Sequence, residues 1–244
     1  MHRFYAEPGS RVADTALLSA EDAHHALHVL RLQPGDPIEL FDAGLRYAAV
    51  IAAADGEHVG VRLLEERPGT EAVLRITLFQ GLPKADKMEW IVQKAVELGA
   101  EAIVPVDMAR SIVRLKAGDA GKKAERWQKI AREAAKQSCR TCLPAVAPPI
   151  SMKQLLQQAA NFDAFAVPWE EEHALSLPAF CAAHPQMKRV GLLIGPEGGI
   201  TPEEMGLLRA AGCASVTLGP RILRTETAGL AAIAALLCLS GDME

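Results

Sequence analysis

The 244 residues are half apolar and 23% charged, with a net charge of −4; that is an ordinary globular balance, with length for one large domain or a large and a small one. The longest apolar stretch, Leu230 to Leu239, is too short to span a bilayer, and Met1 to Glu7 lacks the apolar centre of a signal peptide. Five irregularly spaced cysteines argue against a disulfide framework, so a cytoplasmic protein with no membrane partner is expected.

The first seventy residues read as β-rich. Phe4-Tyr5, Pro37 to Phe41, Tyr47 to Ile51 and Val59 to Leu64 are short strand-like runs, and Gly35-Asp36, Gly44 and Asp55-Gly56 punctuate them as turns. One helix interrupts, with Ser19 as cap and Glu21 to Leu32 as body, stopped before Pro34. Short strands with tight turns predict a small barrel over residues 1–70, and Arg67-Pro-Gly-Thr70 reads as the linker.

From residue 71 to 244 strand and helix alternate. Strand Leu74 to Phe79, helix Asp86 to Leu98 (stopped at Gly99), strand Ala102 to Val106, helix Lys122 to Ser138, helix Met152 to Ala160 and strand Ala164 to Val167 predict a parallel sheet with helices on both faces. Two further units close the chain. Val190 to Ile194 leads into Gly195-Pro-Glu-Gly-Gly-Ile-Thr-Pro-Glu-Glu204, and Ser215 to Leu218 leads into Gly219-Pro-Arg-Ile-Leu-Arg-Thr-Glu-Thr227. Thr201 to Glu204 supplies an N-cap, a proline and a capping-box glutamate. The helix Ala228 to Leu239 is apolar nearly all round and is expected to be buried, in a core or a subunit interface.

Two adjacent strand-loop-helix units with glycines where backbone must approach something suggest a cofactor cleft at the carboxyl edge of the sheet. The first loop lacks the lysine of a phosphate-binding G-x-x-x-x-G-K-[ST] motif and is not G-x-G-x-x-G. Its Glu197 would repel a pyrophosphate and suits a neutral or positive ligand, such as a sulfonium. The second loop gathers Arg221, Arg224 and Glu226, an arginine fork able to hold a phosphate or stabilise an oxyanion.

Charge is unevenly spread: net −5 over residues 1–70, +5 over 71–150 and −4 over 151–244. Arg110 to Arg140 holds ten basic residues against three acidic, the footprint of a polyanion partner or a solvated helix face. Cys139 and Cys142 form a lone CxxC without partner ligands, and His24 and His28 lack a third ligand, so no metal is expected. Trp127, spaced from Ile130 and Ala131 as on a buried helix face, reads as core in preference to a base-stacking residue.

GPEGGITPEE and LGPRILRTETA together resemble the RsmE family of ribosomal RNA methyltransferases, in the SPOUT superfamily of knotted enzymes. His24 to Arg31 with Pro34-Gly-Asp36, Leu82 to Gly99, Arg110-Ser111, and Arg126 to Ala131 through Gln137-Ser138 and Arg140 resemble it as well, so the likeness runs in order along nearly the whole chain. Cys139 departs from a pattern in which glycine is common there. The resemblance implies an α/β protein with an N-terminal PUA-like β-barrel that binds RNA and a C-terminal parallel-sheet domain tied in a trefoil knot. It also implies a homodimer, and methylation of uridine N3 in 16S ribosomal RNA or the small subunit by S-adenosyl-L-methionine.

Carried over, the donor pocket comprises Leu193, Ile194, Gly195, Pro196, Glu197, Gly198 and Gly199 with Leu218, Gly219, Ile222, Leu223, Thr225 and Thr227. Uridine N3 becomes nucleophilic only as its proton leaves and charge spreads onto O2 and O4, which calls for a base or water path and cationic donors. Arg224 is assigned to the oxyanion, and Glu226 or Glu197 to orienting it or to proton transfer. RNA contacts fall to Arg110, Arg114, Lys122, Lys123, Arg126 and Arg140, with Lys84, Lys87 and Arg221, and with Arg3, His25 and Arg31 in the first domain. A ribose 2′-O-methyltransferase on the same scaffold and a non-catalytic assembly protein are the alternatives.

Overall fold

A computed structural model of the chain describes residues 1–113 and 117–243. It divides into two compact units, one of Met1–Glu71 with Ala135–Leu143, the other of Ala72–Ala134 with Pro144–Glu244. The return of Ala135–Leu143 to the first unit has no counterpart in the sequence reading, in which a single linker ends the barrel.

In the first unit β1 (His2–Tyr5), β2 (Thr15–Leu17), β3 (Pro37–Asp42), β4 (Leu45–Ala54) and β5 (Val59–Arg67) form one sheet in the order β1-β3-β4-β5-β2. An antiparallel bridge from Ala6 to Leu18 joins the two edges, so the sheet closes into a barrel. The strands alternate as period-two burial requires: Tyr47, Ala49 and Ile51 point inward with Ile38, Leu40, Val59 and Val61. β3 and β4 are joined by Ala43-Gly44, both at positive φ (48° and 87°), the backbone of a type I′ hairpin turn. β2 went unpredicted, being three residues long. The helix begins after Ser19, whose hydroxyl accepts from the Asp22 backbone N–H, as α1 (Ala20–His24) and continues as a π-helical turn, His25–Val29.

Ala135–Leu143 is fastened by two carboxylates. Asp22, fully buried, accepts from the Tyr5 backbone N–H at 2.7 Å and from Lys136 Nζ at 2.6 Å. Glu71 accepts from Arg140 Nε and Nη2 and from the backbone N–H groups of Thr141 and Cys142. Cys139 has φ 61°, a left-handed backbone that glycine adopts without strain; that is the physical reason a glycine suits this position.

The second unit is built on β6 (Arg75–Gly81), β7 (Ala102–Asp107), β8 (Ala145–Val146), β9 (Ile150–Ser151), β10 (Ala164–Pro168), β11 (Arg189–Ile194) and β12 (Ala214–Val216). They are ordered β12-β10-β11-β6-β7-β8, with β9 on β7, and every pairing is parallel. Such a sheet is buried on both faces, and β11 is buried from Val190 to Ile194. The helices are α2 (Lys87–Leu98), α3 (Ala117–Gln137), α4 (Met152–Ala159), α5 (Leu177–Ala183), α6 (Pro202–Ala210) and α7 (Thr225–Leu239); among the described residues none is long and apolar enough to cross a membrane. α2 buries Met88, Ile91, Val92, Ala95 and Val96, one face at helical spacing, and ends at Gly99 in the left-handed conformation, φ 110°. Trp127 on α3 is buried.

Two sequence bounds are corrected. β12 stops at Val216, two residues early, because the chain turns there to start the second loop. α7 starts at Thr225, three residues early, so Thr225 to Thr227 form its first turn. Within this chain Gly229, Ala232, Ile233, Leu236 and Leu237 face the core, while Ala231, Cys238 and Leu239 are exposed, so the core covers one side of this apolar helix.

Candidate functional site

From β6 the chain passes to β7 on one side, and from β11 to β12 on the other, so strand order reverses between β6 and β11. At such a switch point the two outgoing connections diverge and leave a crevice beyond the carboxyl ends. A cleft of about 490 Å³ opens to one side of that point, at the carboxyl ends of β11, β10 and β12: Ile194 to Ile200 after β11 and Thr217 to Thr225 after β12 face each other, with Pro168 to Glu170 after β10 as a further wall. That size lies within the roughly 300–1,000 Å³ of small-molecule sites.

The first loop is tightly seated. A methyl group on Gly81, at the end of β6, would lie 2.6 Å from the nitrogen and Cδ of Pro196. One on Gly198 would lie 2.8 Å from Arg110 Cβ, and Arg110 also donates from Nη1 to the Gly198 carbonyl at 2.9 Å. Thr201 and Glu204 form the expected capping box on α6, and Glu204 reaches further to accept from the Ala109 backbone N–H.

Two ties join the loops. Thr225 Oγ1 donates to the Gly195 carbonyl at 2.6 Å and accepts from buried Gln80 Nε2 at 2.9 Å. Lys87 Nζ lies 3.1 Å from Glu197 Oε1 and 3.0 Å from Glu226 Oε2, and Glu197 also accepts from the Lys84 backbone N–H. Burial pushes the Glu197 carboxyl up, but its own backbone N–H, that of Lys84 and the Lys87 ammonium outweigh it and leave it below the usual range. Glu226 is likewise lowered, by its own backbone N–H first and then by Lys87 and the Arg224 charge. Both are therefore anionic near neutral pH and weak proton acceptors.

The structure brings most expected pocket residues together and reassigns some. Ile194, Gly195, Pro196, Glu197, Gly198 and Gly199 line the cleft, as do Leu218, Gly219, Ile222, Leu223 and Thr225. Leu193 does not: it is fully buried in the core with Phe79 and Phe165. Thr227 is exposed and outside the lining. Arg224 lines the cleft and is exposed, and its guanidinium makes no hydrogen bond among the described residues. Arg221 is exposed beside it.

Among the basic residues, Lys84, Arg110, Lys122, Lys123 and Arg126 are exposed in the second unit, with Arg126 paired to Glu89. Lys87 is committed to its two glutamates. In the first unit Arg31 is exposed, His25 is half-buried with its ring edge-on to Phe4, and Arg3 is paired to Glu39. Arg140 is a correction, for it is buried against Glu71 and unavailable to a polyanion. Arg114 lies outside the described residues.

Gln80, Gly81 and Trp169 were not anticipated. The first two carried a signal, a polar residue and a glycine directly after the apolar pair Leu78-Phe79 at the strand's end. Trp169 lines the cleft with a buried indole N–H that has no partner among the described residues, while Arg209 lies 5.2 Å over its ring. The beginning of α5 is held near the same wall by Glu172, whose carboxyl is lowered to about 2 by Ser215 Oγ, the Ala174 and Leu175 backbone N–H groups and Arg209.

The family model for the RNA methyltransferase domain matches residues 70–237, and that for the RNA methyltransferase PUA domain matches 18–64. Ribosomal RNA small subunit methyltransferase E of Bacillus subtilis is 38% identical over 230 residues, spanning 92% of this chain and 90% of its own. The protein of that name from Mycobacterium tuberculosis is 31% identical over 238 residues, 96% and 90% of the two chains. A crystal structure of Ribosomal RNA small subunit methyltransferase E from Neisseria gonorrhoeae, bound to S-adenosyl methionine, is 37% identical with a TM-score of 0.85, covering 98% of each chain. A closed N-terminal barrel, a parallel sheet with a cleft at the carboxyl ends of its strands, and this sequence likeness lead to one conclusion: the chain belongs to the RNA methyltransferase family and carries that family's PUA domain.

Proposed function

We propose that this protein transfers a methyl group from S-adenosyl-L-methionine to N3 of a uridine in the 16S RNA of the small ribosomal subunit. We further infer that it acts in the cytoplasm, as a homodimer whose C-terminal domain is knotted, with the exposed side of α7 as one candidate surface for the second copy. The observation that carries the reading is a cleft with an anionic, glycine-tight wall on one side and, on the other, an arginine whose guanidinium makes no hydrogen bond among the described residues. The relative from Neisseria gonorrhoeae, which binds the same donor, supports it.

The residues present fit such a donor. Glu197 supplies negative charge toward a sulfonium, the unpartnered Trp169 N–H offers a donor to a polar group, and Leu218, Ile222 and Leu223 supply apolar surface for an adenine. When bound, the donor supplies an electrophilic methyl group whose departure leaves the bonding pair on sulfur. The chain's own residues do the rest. The rigid first loop fixes where the methyl lies, which contributes through positioning. Arg224 faces the uridine oxygens that gain charge as N3 loses its proton and forms the new N–C bond. Because Glu197 and Glu226 are held anionic by Lys87, neither is matched to proton abstraction near pH 7; we assign the N3 proton to solvent at the cleft mouth. Lys122, Lys123 and Arg126 are assigned to the RNA backbone.

The test is incubation of small ribosomal subunits lacking the modification with the protein and methyl-labelled donor, followed by nucleoside analysis. Label in 3-methyluridine is expected. Label in a 2′-O-methylated nucleoside would replace the target atom, and tight RNA binding without transfer would leave a non-catalytic assembly protein.

A further inference from the structure

Lys87 stands where a helix disfavours it. It is the first residue of α2, the end at which aligned peptide dipoles are positive and an acidic side chain is preferred. A local rule broken without local benefit points to a role set by the site. Two carboxylates meet its ammonium, Glu197 from the loop after β11 at 3.1 Å and Glu226 from the first turn of α7 at 3.0 Å.

Glu226 is the more telling partner. It sits two residues after Arg224, across the start of α7, and both cations act on its carboxyl. Beside its own backbone N–H, its carboxylate takes a hydrogen bond from Lys87. The Arg224 guanidinium makes none among the described residues and lines the cleft. A free guanidinium beside a free carboxylate would pair with it, because the charge-assisted, two-pronged arrangement is the strongest contact either can make.

Resting on the reading of Arg224 given above, we propose that Lys87 is a positioning residue: by occupying Glu226 it keeps that carboxylate off Arg224, so that the guanidinium stays free for the uridine oxygens. The donor side of the cleft does not depend on it. Without the ammonium, Glu197 keeps the Lys84 backbone N–H at 3.1 Å, and Thr225 keeps its bonds to Gly195 and Gln80. The effect of removing Lys87 therefore belongs in turnover.

The experiment measures donor affinity by calorimetry and steady-state methyl transfer to unmodified small subunits, in wild type, Lys87→Met, Lys87→Arg, Glu226→Gln and the double variant Lys87→Met with Glu226→Gln. For Lys87→Met, kcat is expected to fall about tenfold or more while donor Kd stays within about threefold, the split that marks an interaction realised in the transition state. Lys87→Arg retains a cation for Glu226 and should keep kcat within about threefold of wild type. Adding Glu226→Gln to Lys87→Met should restore most of the lost turnover, which a misfolded or merely loosened variant cannot do. A double variant no faster than Lys87→Met, or a loss confined to donor binding, overturns the proposal. The two levels separate cleanly. Rescue of transfer to a nucleoside other than 3-methyluridine overturns the uridine assignment and leaves the role of Lys87 standing. Label in 3-methyluridine without rescue overturns Lys87 alone, and a wild type that transfers no methyl overturns both.

Discussion

The two loops that wall the cleft are built on opposite terms. Gly195 to Ile200 is hemmed in: Pro196 leaves no room for a side chain on Gly81, Arg110 leaves none on Gly198, and the capping box of α6 fixes the exit. Thr217 to Arg224 is open. Gly219 has nothing within 4 Å of where a Cβ would stand, Ile222 is 80% exposed, and Arg221 and Arg224 reach solvent. The difference teaches how a cleft can combine fixed and free walls, and it suits the roles proposed above. The tight wall leaves a bound donor no slack, while the open one keeps charge free for RNA beside its apolar donor contacts. The open loop is anchored at its ends by Thr225 on Gly195, by the Thr217 backbone N–H on Leu175 and by Glu172 on Ser215.

Substitutions can break that contrast. The largest effect is expected at the open side's free cation: Arg224→Ala should lower kcat by about 10²–10³-fold, the usual loss when one oxyanion donor is removed, with donor affinity by calorimetry nearly unchanged. Equal losses in both would erase the contrast. Next is Gly81→Ala, which pushes a methyl into the Pro196 backbone; overpacking of this kind costs about 1–3 kcal/mol and should appear as weaker donor binding, measured by calorimetry.

Thr225→Val probes the tie between the loops. It leaves the Gly195 carbonyl and Gln80 Nε2 without their shared hydroxyl, a loss of about 1–3 kcal/mol for buried polar groups, read in thermal stability and donor affinity together. The smallest effect is at Glu172. Its folded carboxyl lies at about 2 against an ordinary 4.5, a lowered value, so its contribution is complete above pH 4.5 and disappears as the pH falls through about 2. The stability advantage of wild type over Glu172→Gln, from urea midpoints, should shrink across that window; an advantage growing as pH falls would reverse the assignment.

How much of this was legible in the residues differs by element. α2 announced itself through apolar spacing and Gly99, and α6 through Thr201-Pro-Glu-Glu204, because caps and periodicity are local. β2, β8 and β9 were invisible, since two or three residues carry no period and pair only when a neighbour is present. The glycine-rich loops and Arg224 were evident as motifs. Leu193 was placed in the pocket because a motif does not say which way an alternating strand points each side chain; it points into the core. Arg140 counted as one more basic residue until Glu71, 69 positions away, buried it.

By itself the sequence determined the two-part organisation, the strand-loop-helix rhythm of residues 71–244, and the two glycine-rich loops that wall the cleft. These follow from propensity, period and backbone freedom, all set within a few residues. Only the tertiary structure decided that β6 lies beside β11, that Lys87 is spent on Glu197 and Glu226, and that the Arg224 guanidinium is left without a hydrogen bond among the described residues. Those are contacts between residues more than a hundred positions apart along the chain, and charge pairing acts through space, where sequence distance has no bearing.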